Sequence, residues 1–288
     1  MDQYKKNLRE STGFSVFIYL MALLICTLLG SFVTMRLADK GGINTLKLAQ
    51  GISSTLIFIV PPIILYAFTR NQPLRRLGFQ KPNNYWMFLI GTALMFVSLP
   101  VTNLLSDWNE AMRLGPALES LERWMKSMED TASALTDQMM QVDTLWGLLF
   151  NLIVIALIAA VGEELTFRGV LQQALTKRCN PHLAVFLSAF IFSFIHFQFY
   201  GFLPRLFLGL VLGYLFYYSG SLWTTILMHF VNNGTAVVIG YLDYKGLADI
   251  DVDHFGSTSN VWMILLSLIV TVGLIYLSSK IKYKYGRK

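Results

Sequence analysis

Charge is scarce in this chain, and its scarcity excludes more than any single motif establishes. Charged residues occupy 14% of the 288 positions, where a soluble domain carries about a quarter. Apolar residues reach 55% and mean hydropathy is +0.53. Long uncharged runs recur from end to end, which excludes a single soluble core and makes lipid the solvent that the composition implies. Cysteine is almost missing as well. Cys26 lies inside an apolar run and Cys179 in a basic turn, so no disulfide framework is available. The net charge of +6 does not signal a nucleic-acid partner, because the basic residues collect at the ends of apolar runs, where topology accounts for them.

What is present is a series of apolar segments of spanning length, roughly 20 residues each. Eight are read: 13–35, 49–69, 84–105, 145–161 with a helical extension, 182–200, 204–219, 222–242 and 261–279. The first is too long for a signal-peptide core and no small-residue cleavage site follows it, so it reads as a retained anchor. The expectation is an all-α, polytopic transmembrane helical bundle of about eight spans, a single membrane domain over 1–288. Its chemically interesting core is about 145–242, and an acidic extramembrane loop covers about 106–144. No internal repeat is visible.

Loop charges give the topology. Lys5, Lys6 and Arg9, then Arg70, Arg75, Arg76 and Lys81, then Lys177 and Arg178, then Lys280, Lys282, Lys284, Arg287 and Lys288 all fall on one side of an even number of spans. Lys/Arg excess marks the cytoplasmic face, so both termini are expected there. Arg36, Lys40 and Lys47 in the first loop run mildly against this pattern. The opposite face carries Asp107, Glu110, Glu119, Glu122, Glu129, Asp130, Asp137 and Asp143, and after the seventh span Asp243, Asp249, Asp251 and Asp253. Leu114, Leu118, Leu121 and Trp124 recur at helical spacing in the long acidic loop. They suggest an amphipathic helix on the outer membrane surface, the alternative being a solvated, partly disordered loop.

An ionisable side chain at the bilayer centre costs about 2.5–3.5 kcal/mol on the insertion scale, so those that occur are usually functional. Glu163-Glu164-Leu165-Thr166-Phe167-Arg168 follows the apolar run 152–161 directly. Glu164 and Arg168 are four apart, acid before base, and share a helical face, whereas Glu163 points about 100° away. One carboxylate is neutralised and the other left free. His196 closes the apolar run 188–196, and His229 and Asn233 share a face of the seventh span. Arg205, beside Pro204 near a helix end, reads as structural. The turn Lys177-Arg178-Cys179-Asn180-Pro181 reverses the chain. Counted from it at 1.5 Å per residue, Glu163 and His196 both lie roughly 25 Å away on adjacent antiparallel helices, and His229 starts roughly 13 Å into its own span.

Such a convergence suits hydrolysis by activated water: a buried carboxylate or neutral imidazole takes a proton, and imidazole or carboxamide N–H groups stabilise an oxyanion. Glu163, His196 and His229 also form a zinc donor set with room for a water ligand, and residue types alone leave both open. Other membrane-protease signatures are missing: there is no His-Glu-x-x-His, no Gly-x-Ser-x-Gly and no paired Gly-x-Gly-Asp. Ser219-Gly220-Ser221 reads as an interhelical turn.

Glu163-Glu164-x-x-x-Arg168, Phe192-x-x-x-His196 and His229-x-x-x-Asn233, in that order on separate spans, resemble the three-motif signature of the CAAX-protease and bacteriocin-processing (Abi) family. Gly209-x-x-x-Gly213 and Gly220-Ser221-Leu222-Trp223 also look like that family. The resemblance covers roughly 162–233. It implies a membrane-embedded endopeptidase in which Glu163 activates water with help from His196. His229 and Asn233 would stabilise the oxyanion or face a metal, and Glu164, Arg168 and Phe192 would support them. Members are labelled metalloproteases, and a metal-free glutamate mechanism is argued as well, so zinc or another divalent metal and a metal-free site both stay open. The partners implied are the lipid bilayer and a peptide or protein substrate, which a CAAX protein, a bacteriocin leader or a signalling peptide would satisfy. A bacterial plasma membrane is the expected location. Two other classes compete: a non-catalytic scaffold or bacteriocin immunity protein that binds peptides in the same cavity, and a proton-coupled transporter, against which the missing inverted repeat counts.

Overall fold

The computed structural model describes residues 12–39, 41–69, 77–248 and 255–285, and among them there is no strand. The charges at Lys5, Lys6, Arg9, Lys40, Arg70, Arg75, Arg76, Asp249, Asp251, Asp253, Arg287 and Lys288 lie outside the described residues. Each of the eight apolar segments is helical, and an amphipathic helix lies between the third and fourth.

Helix α1, Thr12–Ala38, leads through Gly41 and Gly42 to α2, Ile43–Phe68. Both glycines adopt positive φ, 68° and 86°, which glycine alone does without steric cost. The turn starts α2 before the expected position 49. Lys47 therefore lies inside the helix and is wholly buried, so it is not a loop charge and one exception to the charge asymmetry disappears.

The third span is broken into α3, Trp86–Val97, and α4, Leu99–Glu110, which meet at 44°. Pro100 sits in the first turn of α4, where its missing N–H costs nothing, and it cannot extend α3. The acidic loop is an ordered helix, α5, Glu119–Met140, rather than a disordered one. Leu121 and Trp124 remain 43% and 46% exposed on it, as an interfacial helix requires. Trp124 also tilts against Phe199 at 5.5 Å, and the Glu129 carboxylate accepts the Tyr200 N–H at 2.9 Å. Burial pushes the Glu129 carboxyl up, while the Tyr200 N–H and the Arg205 charge pull it down.

Helix α6, Leu145–Leu175, starts at a Thr144 cap whose hydroxyl accepts from Gly147 N. Two wide, π-type stretches, Leu152–Ile158 and Leu165–Gln172, bracket the ordinary α-turns Ala159–Glu164. Such stretches favour functional sites. Helix α7, Pro181–Phe194, is capped by Asn180, whose side chain accepts from Leu183 N. It ends before the expected 200. Phe197 takes a left-handed backbone with φ 53°, costly for a bulky residue, and the chain reverses there. With 14 residues, α7 is roughly 21 Å long, short of the roughly 30 Å hydrocarbon core. His196 consequently stands in a turn within the bundle. Helix α8, Phe202–Ser219, and α9, Leu222–Tyr244, are joined at Gly220, φ 67°, so Ser219-Gly220-Ser221 is the turn expected. Helix α10, Val261–Tyr285, closes the described chain.

Six of these helices are long and apolar enough to cross a membrane, seven when α3 and α4 count as one span. The eighth apolar segment is the short α7. Among the described residues the most extensive helix–helix contact is α7 against α8. A Cβ on Gly209 would lie 3.0 Å from Ala189 Cβ, and one on Gly213 would lie 2.9 Å from Val185 Cγ1. The small-xxx-small stripe thus lets these helices approach closely, and α6 reaches the same seam through side chains.

Candidate active site

Glu164 and Arg168 form the floor of the site. Both are fully buried, and Arg168 Nη1 donates to Glu164 Oε1 at 2.6 Å. Arg168 Nη2 continues to the Gly209 carbonyl at 3.0 Å, and its guanidinium lies over the Phe192 ring at 5.0 Å. One turn on, Gln172 Nε2 donates to the Gly213 carbonyl at 2.9 Å. Two side chains four apart on α6 thereby bond two carbonyls four apart on α8. The close approach that the glycines allow is what exposes those carbonyls to α6.

His229, 3% exposed, sets Nδ1 against Glu164 Oε1 at 3.0 Å. A carboxylate already paired with arginine only accepts, so Nδ1 carries the proton. His196 sets Nδ1 against the Phe192 carbonyl at 2.7 Å, and a carbonyl only accepts, so this Nδ1 is also protonated. In the neutral form of each ring the lone pair therefore sits on Nε2. Both Nε2 atoms face Glu163: His229 Nε2 is 3.6 Å from Oε2 and His196 Nε2 is 4.0 Å from Oε1. These separations exceed a hydrogen bond. The Phe192 ring holds the two imidazoles apart, edge-on to each at 5.1 and 6.1 Å.

The structure thus brings together Glu163, Glu164, Arg168, Phe192, His196 and His229 from three helices and one turn. Asn233 is placed differently. It lies a turn beyond His229, half-buried, and its amide oxygen accepts from Asn232 Nδ2 at 3.1 Å. It hydrogen-bonds neither carboxylate, and as oriented it offers N–H donors. Arg205 was read as structural. Its guanidinium bonds the backbone and side-chain oxygens of Gln198 at 3.2 and 2.9 Å, yet its charge also acts on Glu163. Sequence reasoning did not single out Gln172, although its spacing from Arg168 repeats that of the two glycines.

One carboxylate and two imidazole lone pairs make a zinc donor set, with each Nδ1 tied as metal-ligating histidines usually are. As the side chains stand, among the described residues no group of three or more His, Cys, Asp or Glu is disposed to hold a metal ion. Glu163 and His196 line a cavity of about 260 Å³, with side-chain exposures of 16% and 25%.

Residues 145–235 match the family model described as Type II CAAX prenyl endopeptidase Rce1-like, the family resemblance that the motifs carry. The match begins at the first residue of α6 and ends just past Asn233. No curated protein and no solved structure matches the chain.

Proposed function

We propose that the chain is an intramembrane endopeptidase that hydrolyses peptide bonds through water activated by Glu163. The observation that carries this reading is the pairing of one unneutralised carboxylate with two imidazoles whose Nε2 lone pairs both face it. A water there has acceptors on every side, and Glu163 takes its proton as the oxygen attacks the scissile carbonyl. From Glu163 the proton passes to His229 Nε2, whose Nδ1–H is braced by Glu164 in the manner of a carboxylate–histidine pair. The imidazolium then donates it to the departing amine, and the carboxylate is regenerated. His196 orients the water through Nε2. The Asn233 amide, its oxygen engaged by Asn232, turns N–H donors to the oxyanion. That orientation favours oxyanion stabilisation over metal ligation, for which the amide oxygen would have to be free. The matched family supports peptide-bond hydrolysis at a membrane, and the substrate is a membrane-associated protein or peptide of CAAX, bacteriocin or signal-peptide type.

Purified protein in detergent should cleave such a peptide, and Glu163→Gln should reduce the rate by at least 10³-fold, the scale on which general-base losses combine with misplaced water. Its thermal melting should stay that of the native chain. Persistence of cleavage in this variant would remove the assignment. On the same sample, activity should survive a zinc chelator; one tightly held zinc per chain with chelator-sensitive cleavage would move the chemistry to metal-bound water.

A further inference from the structure

The cavity at Glu163 extends to one side of the carboxylate. Its walls include Gln50 and Ser54 of α2, Thr136 and Met139 of α5, and Val154 and Ala159 of α6. All of them lie toward the acidic loop. Helix α6 runs from Asp143, just before its first turn, to the Lys177-Arg178 turn, so Val154 and Ala159 stand on the acidic-loop side of Glu163. Helix α2 runs parallel to it, since Gly51 faces Val154 and Ile158 while Gly162 faces Phe58. Gln50 and Ser54 therefore stand on that side too. Toward the basic end the way is closed. Leu165, Phe167, Arg168 and Gln172 are each at most 2% exposed, and Leu165 packs into a core with Leu77, Phe216 and Leu222. A larger cavity of about 480 Å³ at the basic end is lined by Gln172, Gln173 and Thr176 and shares no residue with the catalytic one.

Lys/Arg bias assigns the two ends to the two faces of the membrane. Among the described residues Lys81, Lys177 and Arg178 stand at the closed end, and the sequence joining α2 to α3 adds Arg70, Arg75 and Arg76, whereas the sequence following α9 adds a single lysine or arginine, Lys245, before α10. We infer that the catalytic carboxylate is reached from the face away from the cytoplasm, and that the substrate is a largely apolar peptide segment presented at that face and drawn beneath α5. Between its polar rim and Glu163 the cavity is walled by Phe58, Leu135, Val154, Ile155 and Ile195, a lining that takes apolar side chains. This inference rests on the protease reading for what the site does, but not for how the site is reached.

The test uses the full chain in right-side-out membrane vesicles and a membrane-impermeant maleimide. Cys179, half-buried in the basic turn, reports the closed end as it stands. Ser54→Cys and Thr136→Cys, each with Cys26 and Cys179 replaced by serine, report the cavity and its rim. Both introduced cysteines should label in intact vesicles, and Cys179 only once detergent opens them. Labelling of Cys179 in intact vesicles, with Ser54→Cys and Thr136→Cys protected until detergent is added, overturns the inference. Maleimide capture needs no catalysis, so the pattern should be unchanged when Glu163→Gln is added. A peptidase test that fails while this pattern holds would count against the protease reading alone.

Discussion

At the scale of single residues the site is an arrangement of committed and uncommitted lone pairs. Glu163 and Glu164 are adjacent and chemically alike, and they differ because only Glu164 lies four residues from Arg168 and meets His229 Nδ1. That division was legible in the sequence, because helical spacing alone separates the two carboxylates. The histidine tautomers were not, since they depend on the Phe192 carbonyl and on a contact between α6 and α9. Asn233 shows the limit of face-sharing arguments: it shares the face of His229, yet its amide oxygen turns to its neighbour Asn232. Glu164→Gln tests the brace. An amide can turn its N–H toward Arg168 or leave His229 in the wrong tautomer, and comparable carboxylate-to-amide changes cost about 10⁴ in turnover. It also leaves Arg168 buried without a counter-charge, a loss of about 3–5 kcal/mol. We expect turnover to fall at least 10²-fold with little change in KM, and the melting temperature to fall with it. Lost stability at native turnover would reduce Glu164 to a purely structural partner.

Among the helices, apolar run length gave every spanning segment, while the boundaries needed turn chemistry that the runs conceal. From Phe194 to Tyr200 no glycine or proline signals a stop, and the reversal falls on Phe197, which sequence rules would not choose. The short α7 that results brings His196 level with Glu163, as the count from the basic turn predicts, although it was derived for a longer helix. The seam between α6, α7 and α8 depends on two glycines, and Gly209 is the more constrained. A Cβ there would lie 3.0 Å from Ala189 Cβ and 3.2 Å from its Cα. Backbone cannot yield as a flexible side-chain end does, so α7 and α8 must part. Gly209→Ala should therefore destabilise by about 1–3 kcal/mol. Because the Gly209 carbonyl also receives Arg168 Nη2, cleavage should drop disproportionately. A variant with the native melting curve and rate would show that the seam tolerates a methyl group and that the stripe is incidental.

For the whole molecule, the relevant contrast is between helices that build the site and helices that only hold it in lipid. Site residues come from α6, α7, α9 and the turn after α7, with α2 and α5 walling the cavity. The packing described for helix α10 involves none of these site residues. Trp262, Leu266, Ile269 and Val272 are 75%, 60%, 67% and 58% exposed, facing outward as lipid contacts do. It joins the bundle through Leu274 and Ile275, which pack on the core of Met87, Ile90, Leu212 and Met228, and through the Ser267 hydroxyl bonded to the Val97 carbonyl. Lipid tails solvate apolar surface as well as leucine does, so the apolar part of this attachment gains dispersion alone, beside the Ser267 hydrogen bond. A chain ending at Asn260 should therefore insert and cleave within about twofold of the full chain, with a melting temperature lower by roughly 2–4 °C for each kcal/mol lost. Complete loss of cleavage in a truncated chain that still melts cooperatively would mean that α10 positions the catalytic helices, through its packing on Met228, one residue before His229.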